Sequence, residues 1–502
     1  ASRTAPIEGI RDNGTGYHAL VGARAVTSPG QSIDNATIVI RNGMIQSVER
    51  GGSAPAGARV WDLEGLTVYA GFIDSHADLG MDQVPEGGDV GPTHWNPQVR
   101  AWFSTTANLQ DDEDRRQALR SQGFGTALVV PKQGIFRGTA SVVNLGDTGV
   151  RDRILRPDVA QSIGFQRSFE LGGRYPNSAM GTIALMKQTF MDADWYMRAW
   201  GAYEASGRAF LPPETSAALE ALESAVQGQQ PVIFETRSEE EYLRGQILAE
   251  DFGLDAWYRG NGQEYRIIDV LGENTEPLFV PLDFPDAPDV DNPEAAMNAS
   301  LAELRHWYLA PTNAGQLADA GIDFAITSDG LTSVGDFLPN LRTAVARGLS
   351  PDDALAAITT TPARYLGIEG THGTIAAGNV ANLVVAEGDL FTQEVDVRDV
   401  WVHGTVYGVT RAAQIDPRGT WVIQSEDQWG FQAQLTLEGT MNRLSGYIDV
   451  APGANVDEGV RVEIASASVV SETGRLEVTF DGEELGYEGT ALLAGSVSGE
   501  DF

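Results

Sequence analysis

Runs of alternating or continuous apolar residues, divided by turn residues, separate this chain into three zones. In the first, residues 35–41 and 44–48 alternate apolar and polar positions on either side of Asn42-Gly43. Both turn residues tolerate positive φ, so this pattern predicts two strands joined by a type I′ hairpin. Strand-like patterning runs through residues 17–70 and returns at 381–386 and 399–407. Two strand-rich pieces on either side of a long middle predict one small composite β-sandwich, from residues 17–70 and 371–425.

The middle, 71–370, sets short apolar strands (126–130, 231–234 and 324–327) between helical stretches. That alternation predicts βα units and a parallel sheet or barrel. Ser238-Glu-Glu-Glu241 has the spacing of a capping box. Ser350-Pro351-Asp352-Asp353 supplies an N-cap, a proline at the first helical position and acids at the positive end of the helix dipole. A stretch of this kind and length suits an α/β fold of the (β/α)8 TIM-like barrel type, whose active sites lie at the strand C-termini. Beyond residue 425 the pattern changes. Residues 432–437, 461–464 and 475–480 alternate polar with apolar or small side chains, predicting a C-terminal antiparallel β domain over 426–502. Trp421, just before this zone, and Trp429 within it could line a carbohydrate or peptide surface, but packing is the ordinary role of such residues.

Composition narrows the functional classes. With 502 residues, two or three domains are expected. A net charge of −36 repels nucleic acid and anionic membranes. Lys132 and Lys187 are the only lysines; every other cation is arginine. Zero cysteines exclude disulfides and thiolate zinc sites. No apolar run reaches the ~20 residues of a membrane span. The start at Ala1-Ser-Arg-Thr-Ala-Pro6, without methionine, leads us to expect an exported protein, periplasmic or secreted. The stop at Gly499-Glu-Asp-Phe502, just after a strand-like segment, leads us to expect one piece of a longer polypeptide.

Candidate chemistry begins where the apolar run 66–73 ends in Asp74-Ser75-His76-Ala77-Asp78. Residues two apart on a strand point the same way, so His76 and Asp78 leave the strand end together. This phrase resembles the first barrel strand of the amidohydrolase superfamily, in particular its imidazolonepropionase-like branch, where the motif is His-x-His; here the second histidine is Asp78. Gly373-Thr-Ile-Ala-Ala-Gly378 followed by Ala381-Asn382-Leu-Val is similar to a recurrent family phrase, with Asn382 for the usual aspartate, a change of surface type. Residues 123–131, 134–140 and 349–368 resemble family segments in the right order.

The resemblance implies one or two divalent metals. They would be held by histidines on strands 1, 5 and 6 and an aspartate on strand 8, often with a carboxylated lysine on strand 4. Carried across position by position, strand 1 offers His76 and Asp78, strand 8 Asp329, strand 5 Glu235 and strand 6 Arg259. No lysine lies between Lys132 and Lys187, so the strand 4 ligand is expected to be missing. His18, His94, His306, His372 and His403 are expected to be structural or surface residues. Three acids beside His76 would repel without a cation among them. That cation could be a divalent metal, and such ligands suit Ca, Mg or Mn better than Zn. It could equally be the guanidinium of Arg259, which is the favoured reading because its fork pairs with carboxylates.

Residues 174–196, with 123–139, look like the first half of long exported tandem amidohydrolases, in which a ligand-poor unit precedes an intact one. That likeness implies a non-catalytic or weakly active unit pairing with an intact amidohydrolase unit or homologous chain. The alternative is a metal-dependent hydrolase of C–N bonds in small amides or peptides, with Asp329 as general base.

Overall fold

The structure is a computed structural model. It describes residues 16–81, 93–169, 175–272, 276–290, 297–409, 417–424, 432–440, 443–450, 459–470, 475–482 and 489–496. Ala1–Pro6, Arg174, Trp429 and Gly499–Phe502, which entered the expectations above, lie outside the described residues. The chain divides into two compact units, one reaching Val384 with Val400–Tyr407 added, the other made of Val385–Asp399 and the chain from Gly408.

The first unit opens with β1 (Tyr17–Ser28), β2 (Gln31–Arg41), β3 (Met44–Arg50), β4 (Arg59–Asp62) and β5 (Thr67–Ala70). Asn42 and Gly43 take φ of 52° and 80° between β2 and β3, as a type I′ turn requires, and Arg41 pairs with Met44.

Eight strands follow: β6 (Phe72–Ala77), β7 (Phe124–Val129), β8 (Phe136–Asn144), β9 (Ile154–Gly164), β10 (Val232–Glu235), β11 (Ala256–Arg259), β12 (Leu278–Pro281) and β13 (Ala325–Thr327). They lie in sequence order across one sheet. All neighbours are parallel except β8, which runs antiparallel to both β7 and β9. A uniform βα repeat does not account for this reversal. Only residues 130–135 link β7 to β8, and a parallel crossover needs roughly a dozen residues or more. The chain therefore turns straight back, and β8 begins at the end of the sheet where its neighbours finish.

Helices occupy the later connections. Ala179–Ala205 precedes β10, and Glu239–Phe252 links β10 to β11, closed by Gly253 at φ 63°. At its start Ser238 Oγ accepts from the Glu241 N–H (3.3 Å), but the Glu241 carboxylate accepts from Arg237, one residue before the cap (2.8 Å). The reciprocal capping box stands elsewhere, at Ser300 and Glu303. Ser350 caps Pro351–Ile358 as expected.

Side chains from all eight strands meet in one buried cluster. Ile73, Leu128, Val142, Ala160, Ile233, Trp257, Phe279 and Ala325 each come from a different strand, so the sheet curls around them. Its first and last strands are joined by side chains: Ser75 Oγ donates to Ile326 O (3.0 Å) and Thr327 Oγ1 to His76 O (2.6 Å).

Three further strands, β14 (Leu383–Ala386), β15 (Val397–Val402) and β16 (Thr405–Gly408), complete the first sheet in the order β16-β15-β14-β5-β1-β2-β3, with β4 on β1. Just before β14, Asn382 corrects an expectation. It is buried, not a surface residue: its amide donates to Thr126 Oγ1 (3.2 Å), and its carbonyl accepts from the His403 N–H (2.8 Å).

The second unit carries a six-stranded antiparallel meander: β17 (Gly419–Gln424), β18 (Gln432–Thr440), β19 (Arg443–Val450), β20 (Val460–Val470), β21 (Arg475–Asp481) and β22 (Thr490–Ser496). Leu435, Leu437, Ile448, Leu476 and Val478 form its core, and Trp421 packs against them. Among the described residues no helix is long and apolar enough to cross a membrane.

Candidate functional site

Asp74, wholly buried on β6, fixes the geometry of the strand ends. It accepts hydrogen bonds from Thr327 Oγ1 (2.7 Å), Ser328 Oγ (2.5 Å), the Ser328 N–H (3.2 Å) and the His76 N–H (3.2 Å). Burial pushes its pKa up, and these four bonds pull the other way. They clamp β13 to β6 and so bring Asp329, two residues past β13, to His76.

His76 is fully buried between two carboxylates. Its Nδ1 is 3.5 Å from Asp329 Oδ2, and its Nε2 is 3.8 Å from Glu235 Oε2. Neither ring nitrogen makes a hydrogen bond within the usual limits. Burial lowers its pKa to about 4, against the opposing pull of Asp329 and Glu235, so the ring is neutral at pH 7.

Both acids are already engaged by cations. Asp329 Oδ1 accepts from Lys132 Nζ (2.6 Å), and Oδ2 from Arg259 Nη2 (2.7 Å). The Glu235 carboxylate is held by both terminal nitrogens of Arg137, with Nη2 3.3 Å from Oε1. Burial opposes ionisation of each acid, but the charges around them win. His76, Arg259 and Lys132 hold Asp329 well below the usual carboxylate range, and Arg137 with His76 lowers Glu235 to about 2.

Glycine makes this arrangement possible at two places. Gly164 ends β9 in register with Glu235, which in turn pairs with Arg259. A Cβ at position 164 would lie 2.0 Å from Arg137 Nη2. The guanidinium of Arg137 therefore occupies the space into which a side chain from the end of β9 would project. Gly330, at φ 97°, likewise leaves room for Arg259, whose Nη2 would be 2.9 Å from a Cβ there.

Of the residues singled out in the sequence, His76, Glu235, Arg259 and Asp329 come together. Asp78 does not join His76. It follows the end of β6, its side chain is 36% exposed, and its carboxylate meets Lys132 at 3.3 Å. Two participants, Lys132 and Arg137, were missed. Lys132 had a signal: it lies just past the apolar run of β7, where strand ends present functional groups. Arg137 had none, because it sits near the start of β8 and faces the site only through the reversal of that strand.

The donor set does not fit a divalent metal. All four oxygens of Glu235 and Asp329 face Arg137, Lys132 or Arg259. The three cations Lys132, Arg137 and Arg259 are already paired with Asp78, Glu235 and Asp329, so none of these carboxylates is left free for a metal. Among the described residues no three His, Cys, Asp or Glu side chains are grouped to hold one.

An amidohydrolase family model matches residues 312–415, the segment containing β13, Asp329 and the strands that complete the first sheet. Adenine deaminase 2 of Jannaschia sp. (strain CCS1) is 35% identical over 112 residues, which is 20% of this chain and 17% of that protein's length. The crystal structure of an amidohydrolase from Thermotoga maritima MSB8 superposes with a TM-score of 0.63, at 22% identity, over 77% of this chain and 98% of its own. The chain thus shares the fold of that amidohydrolase over most of its length, and residues 312–415, around Asp329, carry the sequence pattern of the amidohydrolase family.

Proposed function

We propose that this chain is a non-catalytic amidohydrolase unit of the imidazolonepropionase-like branch, in which an internal ion-pair network stands where relatives hold metal. In this reading the curled sheet closes as a (β/α)8-type barrel whose third strand is reversed. Residues 17–70 and the strands from 371 to Gly408 form the flanking sandwich, and the meander forms a separate β domain that begins at Gly419, before the expected boundary at 425. The observation that carries the reading is the engagement of every Glu235 and Asp329 oxygen by Arg137, Lys132 or Arg259. A metal-activated water needs an acid free to take its proton, and Asp329 is bonded to two cations. The unit then serves as a scaffold beside an intact amidohydrolase unit, which supplies the chemistry on small amides or peptides.

A second reading, a hydrolase with an unusual metal set, draws on His76, whose two ring nitrogens are buried without partners beside Asp329 and Glu235. Elemental mass spectrometry of chelator-free protein, with calorimetric titration of Zn²⁺ and Mn²⁺, separates the two. We expect less than a tenth of an equivalent of bound metal, no saturable titration and no turnover of dipeptides. One equivalent of metal, lost together with dipeptide hydrolysis in Asp329→Asn, would establish the second reading instead.

A further inference from the structure

Arg100 is the exception among the buried arginines. Arg116, Arg120, Arg137, Arg153 and Arg398 each pair with a carboxylate. Arg100 is 5% exposed, yet no carboxylate of the described residues forms an ion pair with it. Its one side-chain hydrogen bond among them runs from Nη1 to Gln133 Oε1 (3.2 Å), a neutral amide. Its guanidinium lies 4.9 Å from the ring centre of Phe103 and 5.6 Å from that of Trp102. Ring faces attract a cation weakly compared with the cost of taking it out of water. Burial lowers its pKa to about 10, and no neighbouring acid offsets that.

The surroundings are built. The Arg100 N–H donates to Phe136 O (2.8 Å), which sets the segment alongside the start of β8. Gly134 takes φ 99°, and a Cβ there would stand 3.6 Å from Arg100 Cδ and 2.9 Å from Gln98 O, so the 132–134 loop lies directly on Arg100. Ser168 Oγ accepts from the Gly134 N–H (2.7 Å), and the Ser168 N–H donates to Gln98 Oε1 (2.8 Å). The Arg100 guanidinium thus meets neutral hydrogen-bonding groups, while Lys132 of the same loop is engaged by Asp78 and Asp329.

We propose that Arg100, with Gln133 and the Phe103 and Trp102 rings, forms a binding site for small organic monocarboxylates beside the 132–134 loop. A guanidinium fork matches the two oxygens of a carboxylate, and the aromatic rings suit an apolar tail. With a chain charge of −36, a singly charged ligand is repelled less than phosphate. The proposal holds whether or not the neighbouring centre binds metal.

The test is calorimetric titration of the full chain with benzoate and with inorganic phosphate at pH 7, for wild type, Arg100→Met and Gln133→Glu. We expect saturable benzoate binding at least tenfold tighter than phosphate, a thermal midpoint that rises with benzoate, and loss of both in Arg100→Met. Gln133→Glu supplies a built-in carboxylate. It should raise the midpoint without ligand and weaken benzoate at least tenfold. Absent benzoate binding, binding retained in Arg100→Met, or phosphate binding as tightly overturns the proposal. Should Arg100→Met fail to fold, Gln133→Glu decides: a lowered midpoint with wild-type benzoate affinity is equally fatal. Metal content is measured separately, so failure here and failure of the non-catalytic reading remain distinguishable.

Discussion

Two networks in the first unit each join three cations to three acids, and they differ in what is buried. On the helix Glu113–Ser121 and its neighbours, Arg116, Arg120 and Arg153 are buried, while their partners Asp111, Glu113 and Asp147 stay 59%, 50% and 49% exposed. At the strand ends, Glu235 and Asp329 are themselves buried, with Arg137 and Arg259 covered as well. Water can replace an acid in the outer network. In the inner one Glu235 and Asp329 have no such recourse, and only Asp78 and Lys132 at its edge reach solvent. The same count of charges is therefore a solvated brace in one place and an internally closed set in the other.

Arg137→Ala tests that contrast hardest. It leaves Glu235 buried beside a neutral His76, and breaking such a pair costs about 3–5 kcal/mol. Urea unfolding should show this loss, and Arg137→Met combined with Glu235→Leu should recover most of it. A loss below about 1 kcal/mol would mean the inner network is as well solvated as the outer one, against the scale for exposed pairs.

Acid pH probes the same centre through His76. Its pKa is about 4 in the folded chain, lowered by burial from 6.5. Between these values the unfolded chain binds the proton and the folded chain does not, so stability falls as pH drops from 6.5 towards 4. Below that the His76 contribution levels off. The drop from this residue is of order 3 kcal/mol. His372, also lowered to about 4 by burial, loses stability in the same window. Unfolding at pH 4.5 and 7 should therefore show a smaller pH dependence in His76→Gln than in wild type, the remainder coming from His372 and from His94 and His306, which burial also lowers. An unchanged slope would place the His76 proton elsewhere.

Much of this centre was legible because apolar strands end where chemistry begins. Asp329, Glu235 and Arg259 each close a short buried run, and their type alone set this centre apart from the histidine set that the family resemblance implies. The hairpin at Asn42-Gly43 was legible for a similar local reason, the demand for two positive φ values. What could not be read depended on chain direction and on empty space. Arg137 reaches the site only because β8 is reversed, and the short 130–135 link was the one clue. Gly164 matters for the Cβ it lacks. Asn382 had the look of a surface residue, since its buried partners Thr126 and His403 are far away in sequence.

Gly164→Ala sharpens the role of that missing atom. The added methyl would stand 2.0 Å from Arg137 Nη2, so the guanidinium must leave its bidentate contact with Glu235. Overpacking of this kind costs about 1–3 kcal/mol. The loss should nearly vanish when Arg137 is already alanine, since neighbours sharing one contact are not additive. Equal losses in both backgrounds would show that Gly164 serves the backbone of β9 instead.

The smallest effect belongs to the outer network. Asp147 receives both Arg116 Nη1 and Arg120 Nη1 at 2.7 Å, so a count of bonds alone would rank Asp147→Asn among the severe changes. Exposure argues otherwise. Arg116 also donates to Gly146 O (2.9 Å) and to Asp111 (2.9 Å), and Arg120 to Leu145 O (2.6 Å) and Glu113 (2.8 Å). Neither guanidinium is stranded, and water reaches position 147. Asp147→Asn should therefore cost no more than about 1 kcal/mol in urea, with a deficit that shrinks in high salt. A cost approaching that of Arg137→Ala would erase the distinction between the two networks, because it would mean that the buried arginine, rather than the buried acid, sets the energy of each.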